Sequence, residues 1–87
     1  MVTGKTRSGF EFRLDADVMN NMELVEELAA VDRGDIAILP KVLVTLLGNE
    51  TKKALYDHIR TKDGRVPIDL LVEEVKQIFE ASQELKN

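Results

Sequence analysis

From Asp35 to Asn49 the chain reads DIAILPKVLVTLLGN. Pro40 suits the first turn of a helix, where its missing N–H leaves nothing unpaired, and Gly48 with Asn49 stops it. Wound into a helix, Ile38, Leu39, Val42, Leu43, Val44, Leu46 and Leu47 cover nearly the whole circumference. Only Lys41 and Thr45, one turn apart, leave a narrow polar stripe. A helix apolar almost all round has to be covered almost all round. In a chain of 87 residues two arrangements satisfy this. Either the segment is a central post wrapped by the other elements, or part of its girth faces another chain. The central post is the simpler expectation. The run is too short and too interrupted to span a bilayer.

The remaining chain supplies candidates for the wrapping. GFEFRLD, residues 9–15, alternates Phe10, Phe12 and Leu14 against Glu11 and Arg13, the pattern of a half-buried strand. Ser8-Gly9 could close it into a hairpin with residues 2–7, a first arm poor in strand formers. A lone hairpin is barely stable in water, so it must pack on helices or pair with another copy's strand. Asn20 or Asn21 is a good N-cap for a helix whose inner side is read as Met22, Val25, Leu28 and Ala29, with Leu24 and Val31 beside it. Glu23, Glu26 and Glu27 then take the wet side, and Gly34 ends the helix. Asn49 is expected to cap a third helix with Ala54, Leu55 and Ile59 inside and Lys52, Lys53, Tyr56 and Arg60 outside. The last helix runs from Pro67 to about Gln83, with Ile68, Leu71, Val72, Val75, Ile78 and Phe79 on one face and Glu73, Glu74, Lys76, Gln77 and Glu80 in water. The predicted fold is α+β, mostly α: an N-terminal strand or hairpin followed by a compact bundle of about four helices. It forms a single domain over 1–87, with 1–8 either flexible or the first hairpin arm and 84–87 a frayed tail.

The motifs that hint at chemistry fail on spacing. DGRVPIDLLVEE, from Asp63, resembles part of an EF-hand loop. With Gly64 at the loop's sixth position, however, the first and last ligand positions fall on Ile59 and Leu70. GKT at Gly4–Thr6 lacks the earlier glycine and strand of a phosphate-binding loop. The single histidine, His58, reads as a packed or edge residue. There is no cysteine, which excludes disulfides and thiolate metal sites and fits a cytosolic setting. The start MVTGKTRSG has no apolar core of a signal peptide. No catalytic residue, cofactor or metal is expected.

Charge is spread unevenly. The net value is −4, but residues 11–35 carry eight acids and two bases, giving −6, while 41–65 carry six bases and three acids, giving +3. Lys41, Lys52, Lys53, Tyr56, Arg60 and Arg65 are the candidate partner-binding residues. The basic, aromatic-bearing face reads first as an ordinary solvated lysine surface; as a binding face it would meet an acidic protein surface, including another copy's 11–35 segment, or a phosphate backbone. An acidic chain argues against nucleic acid.

The order of a Phe-alternating strand, MELVEELA (Met22–Ala29), LPKVLVTLLG (Leu39–Gly48) and KKALYDHIRTKDGRVPIDLLVEEVKQIFEAS (Lys52–Ser82) resembles the small tail assembly chaperones of long-tailed phages and prophages of Gram-positive hosts. The resemblance covers residues 9–82 and rests on packing and turn patterns. It implies a non-enzymatic protein of the host cytoplasm that binds the tape measure protein, helps tail-tube subunits assemble around it and is absent from the mature virion. It carries over no binding residue. On this reading, the surplus apolar girth of residues 38–47 would accept amphipathic client segments, the basic face would add selectivity, and self-association into a homo-oligomer would shield the surface until the client arrives. The alternative is a small nucleic-acid-binding regulator of helix-turn-helix type using the basic 49–65 face.

Overall fold

A computed structural model describes residues 2–86, apart from the side chains of Val2, Ala16 and residues 83–86. Strands β1 (Val2–Lys5) and β2 (Glu11–Leu14) form an antiparallel hairpin. Helices α1 (Met22–Asp32), α2 (Leu39–Leu47), α3 (Asn49–Ile59) and α4 (Ile68–Lys86) follow, with short 3-10 turns at Ala16–Met19 and Ile36–Ile38. The architecture is mostly helical with a small N-terminal two-stranded sheet.

The hairpin places Val2 opposite Leu14 and Gly4 opposite Phe12. Its turn closes with the Thr6 N–H donating to the Phe10 carbonyl (2.9 Å) and the Gly9 N–H to the Thr6 carbonyl (2.9 Å). Gly9 takes a φ of 94°, the left-handed conformation that a bulged hairpin turn requires. Phe10, Phe12 and Leu14 are buried, as the alternation predicts. The weak first arm is explained by Gly4. The Phe12 ring lies over it so closely that a Cβ there would stand 2.6 Å from Cζ. The glycine is the space the aromatic ring fills.

Asn21 caps α1, its Oδ1 accepting from the Glu23 N–H at 3.0 Å. The helix ends in a paired closure: the Gly34 N–H donates to Val31 and the Asp35 N–H to Ala30, both at 2.9 Å. Gly34 has a φ of 98°, as this C-terminal motif needs. The face buried by α1 differs from the expected one. Leu24, Glu27 and Val31 point inward, whereas Met22 is 69% and Val25 45% exposed. The inner stripe sits one position along, because Leu24, Leu28 and Val31 present the larger continuous apolar surface to α2. Glu27 lies on that stripe and is buried with it.

At the centre stands α2. Leu39, Val42, Leu43 and Leu46 are almost wholly buried, and α1, α3, β2 and both 3-10 turns pack around them. The post expectation holds, and the expectation of surplus apolar girth on this helix is corrected. Val44, 37% exposed, and Pro40 are its exposed apolar side chains. The two 3-10 turns supply the extra cover.

Gly48 alone joins α2 to α3, with a φ of 85°. It occupies the cap position of both helices, so Asn49 is the first helical residue and makes no side-chain cap bond. The inner face of α3 is also corrected. Leu55 is buried, with Lys52, Tyr56 and Ile59 half-buried beside it, and Ala54 is exposed. Helix α4 starts one residue after Pro67, and its buried row is Leu71, Glu74, Val75 and Ile78. Glu74 is therefore interior, and Ile68 is exposed. Helix α4 extends past Gln83 to Lys86. The side chains of 83–86, and Asn87, where fraying was expected, lie outside the described residues.

Two stability experiments follow. Leu43→Ala removes side-chain volume from the centre of the molecule and should lower the unfolding free energy by about 2–5 kcal/mol in denaturant titration. Gly4→Ala should cost about 1–3 kcal/mol, because the added methyl would overlap the buried Phe12 ring, which must shift to admit it.

Candidate partner-binding surface

The six candidate residues do not form one continuous basic face. Lys41 is drawn toward α1, where its Nζ lies 3.1 Å from Glu27 Oε2. Lys52 sits 5.5 Å above the Tyr56 ring, a cation–π arrangement. Lys53 is exposed on the outer side of α3. Arg60 donates to the Gly64 carbonyl at 2.8 Å and lies 3.3 Å from Asp57. Arg65 pairs with Asp63 at 3.1 Å. Lys52 and Tyr56 are together, Arg60 and Arg65 meet at the turn between α3 and α4, and Lys41 stands apart.

That turn settles what the Asp63–Gly64 segment does. The Thr61 N–H donates to the Arg65 carbonyl at 2.8 Å and the Gly64 N–H to Thr61 at 3.0 Å. The Thr61 hydroxyl and the Arg65 guanidinium both donate to the Asp63 carboxylate. These two donors hold the Asp63 carboxyl below its usual range. Its oxygens are used inside the turn, which delivers the chain to α4.

Next to the basic residues lies an apolar groove of about 220 Å³, lined by Ile36, Leu39, Pro40, Tyr56, Val66 and Ile68 among others. Ile36 is 44% and Ile68 52% exposed along it. Tyr56 connects the groove to Lys52. Sequence reasoning missed this groove because it assigned Ile68 to the buried face of α4 and Tyr56 to the wet face of α3. The available signal was Val66 and Ile68 flanking Pro67, two apolar residues at a helix entrance where polar residues usually stand.

No family model, curated protein or solved structure matches the chain.

A second cluster ties the hairpin to the helices. Glu74 Oε1 accepts from the Thr6 hydroxyl at 2.7 Å and from the Ser8 hydroxyl at 3.0 Å. His58 Nε2 lies 3.2 Å from the Ser8 carbonyl and 3.1 Å from its Oγ, and its ring packs against Phe10 at 5.4 Å. In the tautomer with its proton on Nε2, the ring donates to the Ser8 carbonyl. The Ser8 hydroxyl proton is directed at Glu74. Serine, histidine and glutamate are close, and their hydrogen bonds tie the hairpin turn to α3 and α4. His58 is thus the edge residue the sequence predicts. Glu74 was missed because its partners lie more than sixty residues away along the chain.

The Lys41–Glu27 pair gives a pH-dependent test. Glu27 raises the Lys41 ammonium above its ordinary 10.5, first by hydrogen bonding and then by its charge, with Glu23 adding to it. A raised folded value means the pair's contribution to stability is complete below pH 10.5 and lost as pH rises through the higher folded value. Lys41→Met should remove that alkaline component. At neutral pH it should also destabilise the fold, because the Glu27 carboxylate stays buried without its cation. Adding Glu27→Met should recover much of the loss. Unfolding curves of the three proteins at neutral and alkaline pH check both outcomes.

Proposed function

We propose that this chain is a non-enzymatic assembly chaperone of the phage-tail type, which binds the tape measure protein in the host cytoplasm and aids assembly of the tail tube. The observation carrying the reading is the groove beside Tyr56, where Ile36 and Ile68 remain exposed next to Lys52. An amphipathic helix fits such a groove through apolar side chains at successive turns, and acidic residues along its flank would meet the lysines. A tape measure protein, long, helical and prone to aggregate, offers segments of that kind. The order of elements supports the same reading, since a short aromatic strand is followed by the Leu39–Gly48 and Lys52–Ser82 stretches that carry the family resemblance.

The client surface in this proposal is the groove and its basic rim, with the enclosed α2 as its support. Lys52, Lys53 and Tyr56 contribute directly. Arg60 and Arg65 stabilise the turn that forms the groove's edge and are partly neutralised by Asp57 and Asp63. The same neutralisation disfavours a phosphate-binding role. The connection between α2 and α3 is one glycine, whereas a helix-turn-helix uses about three or four residues.

Co-expression with a tape measure protein should raise the client's soluble fraction. Ile36→Ser with Ile68→Ser, and separately Lys52→Glu with Lys53→Glu, should each reduce that gain by about fivefold or more while leaving the thermal melt little changed; about 1 kcal/mol of lost binding corresponds to that factor. If both double variants keep the client as soluble as the parent does, the groove is not the client site. A salt titration separates the nucleic-acid reading, since phosphate binding weakens steeply with log salt and apolar docking does not.

A further inference from the structure

We propose that two copies of this chain pair through the outer edge of β2, antiparallel about Phe12, to make one four-stranded sheet. The hairpin register decides which backbone groups are free. Bonded and non-bonded pairs alternate along an antiparallel ladder. The bond from the Thr6 N–H to the Phe10 carbonyl makes Gly4–Phe12 and Val2–Leu14 the next bonded pairs. Glu11 and Arg13 therefore turn their N–H and C=O groups away from β1, toward the open edge. Among the described residues, none donates to or accepts from these groups, and both residues are exposed. The other edge of the sheet is occupied differently. Lys5 and Arg7 border a cleft with Gln77, Glu80 and Ala81 of α4, and the Arg7 N–H donates to Gln77 Oε1 at 2.8 Å.

An open edge accepts any extended strand, and a charged edge usually repels its own copy. This one is self-complementary. Pairing about Phe12 sets Glu11 opposite Arg13 of the second copy and Arg13 opposite its Glu11. Each of these is a bonded-type pair, so the two-fold arrangement makes four backbone hydrogen bonds. Within each copy Lys5 stands opposite Glu11 and Thr3 opposite Arg13. One row across the four strands then reads Lys5, Glu11, Arg13, Thr3, with charges plus, minus, plus, neutral, and the two-fold axis repeats it reversed. Opposite charges facing each other across strands stabilise the pairing, and like charges oppose it. Among the described residues, neither Glu11 nor Arg13 has an ion-pair partner within its own chain. Phe10, Phe12 and Leu14 lie on the helix-covered face, so both helical layers fall on one side of the joined sheet and the charged rows on the other. The interface is isologous and closes at two copies.

The test is sedimentation across a wide concentration range. The parent chain should reversibly form a dimer. Glu11→Arg places arginines opposite Arg13, and Arg13→Glu places glutamates opposite Glu11. Each variant alone should weaken the dimer by about tenfold or more. Mixed together, the two variants restore every opposite-charge pair and should form a heterodimer. A parent that stays monomeric, a single variant that dimerises like the parent, or a mixture that stays monomeric each overturns the proposal. A readout without substitutions stands beside this one. In the parent, hydrogen exchange at the Glu11 and Arg13 amides should slow as concentration rises, while the outward amides of Thr3 and Lys5 do not change. Concentration-independent exchange at Glu11 and Arg13 overturns the proposal even if a variant fails to fold.

Discussion

The burial of α2 is the constraint on which the rest of the molecule depends. Leu39, Val42, Leu43 and Leu46 expose almost nothing, yet no single neighbour could cover them. Helix α1 takes one flank and α3 another, the hairpin closes over a third through Phe12 and Leu14, and the two 3-10 turns fill the gaps. Each covering element is itself marginal. A two-stranded hairpin does not stand alone, and α1 and α3 have only three turns each. They are held because the central helix gives them a common apolar surface, at roughly 25 cal/mol for each Å² removed from water. The polar locks follow from this crowding. With helices packed on the post from several directions, Glu27 and Glu74 become interior, and Lys41, Thr6 and Ser8 meet their carboxylates.

Most of the secondary structure was legible because its signals are local. Alternation marked β2, Asn21 and Gly34 marked the ends of α1, and Pro40 and Gly48 marked those of α2. The faces were harder to read, for a shared reason. In α1 the buried row Leu24, Glu27, Leu28, Val31 has helical spacing of three, four and seven, and in α4 Leu71, Glu74, Val75, Ile78 has the same spacing. In both rows the second member is a glutamate. A reading that assigns acids to water shifts α1 to the poorer stripe through Met22 and Val25 and exposes Glu74. In α3 the row Lys52, Leu55, Tyr56, Ile59 follows the same spacing with a lysine in first place. The period was visible. What tertiary contact decides is whether a polar member of the row finds a partner inside, as the partners of Glu74 show, coming from the opposite end of the chain.

The candidate site shows the same division. Net charge by segment correctly located an excess of bases in residues 41–65. It could not reveal how many are engaged locally. Arg60 and Arg65 spend their guanidiniums on the turn between α3 and α4, and Lys41 pairs with one oxygen of the buried Glu27, whose other oxygen has no partner among the described residues. What remains for a partner is Lys52, Lys53 and Tyr56 on α3, with Lys62 exposed in the turn that follows. The exposed apolar surface lies mostly off the helix with the greatest girth, on Met22 and Val25 of α1, on Leu70 of α4, and on Ile36 and Ile68 beside the groove. Surplus hydrophobicity in a small fold need not stay on the element that carries it. The central helix is covered first, and what is left exposed lies on the covering segments.

The two proposed surfaces use different parts of the chain. The groove is built from residues 36–71, and the strand edge from residues 11–13. Pairing at β2 would therefore use none of the residues that line the groove, and a dimer would carry two grooves. A long helical client would meet two grooves on one particle, and the second contact would form at the effective concentration set by the first. A groove of this size would hold a single helix only weakly, because each contact must offset the ordering of the segment it captures. Two such contacts would make capture firm without making either hard to break, as the proposed chaperone role requires. The self-complementary charges on β2 would then serve client binding indirectly, by setting the number of grooves and not the strength of any one.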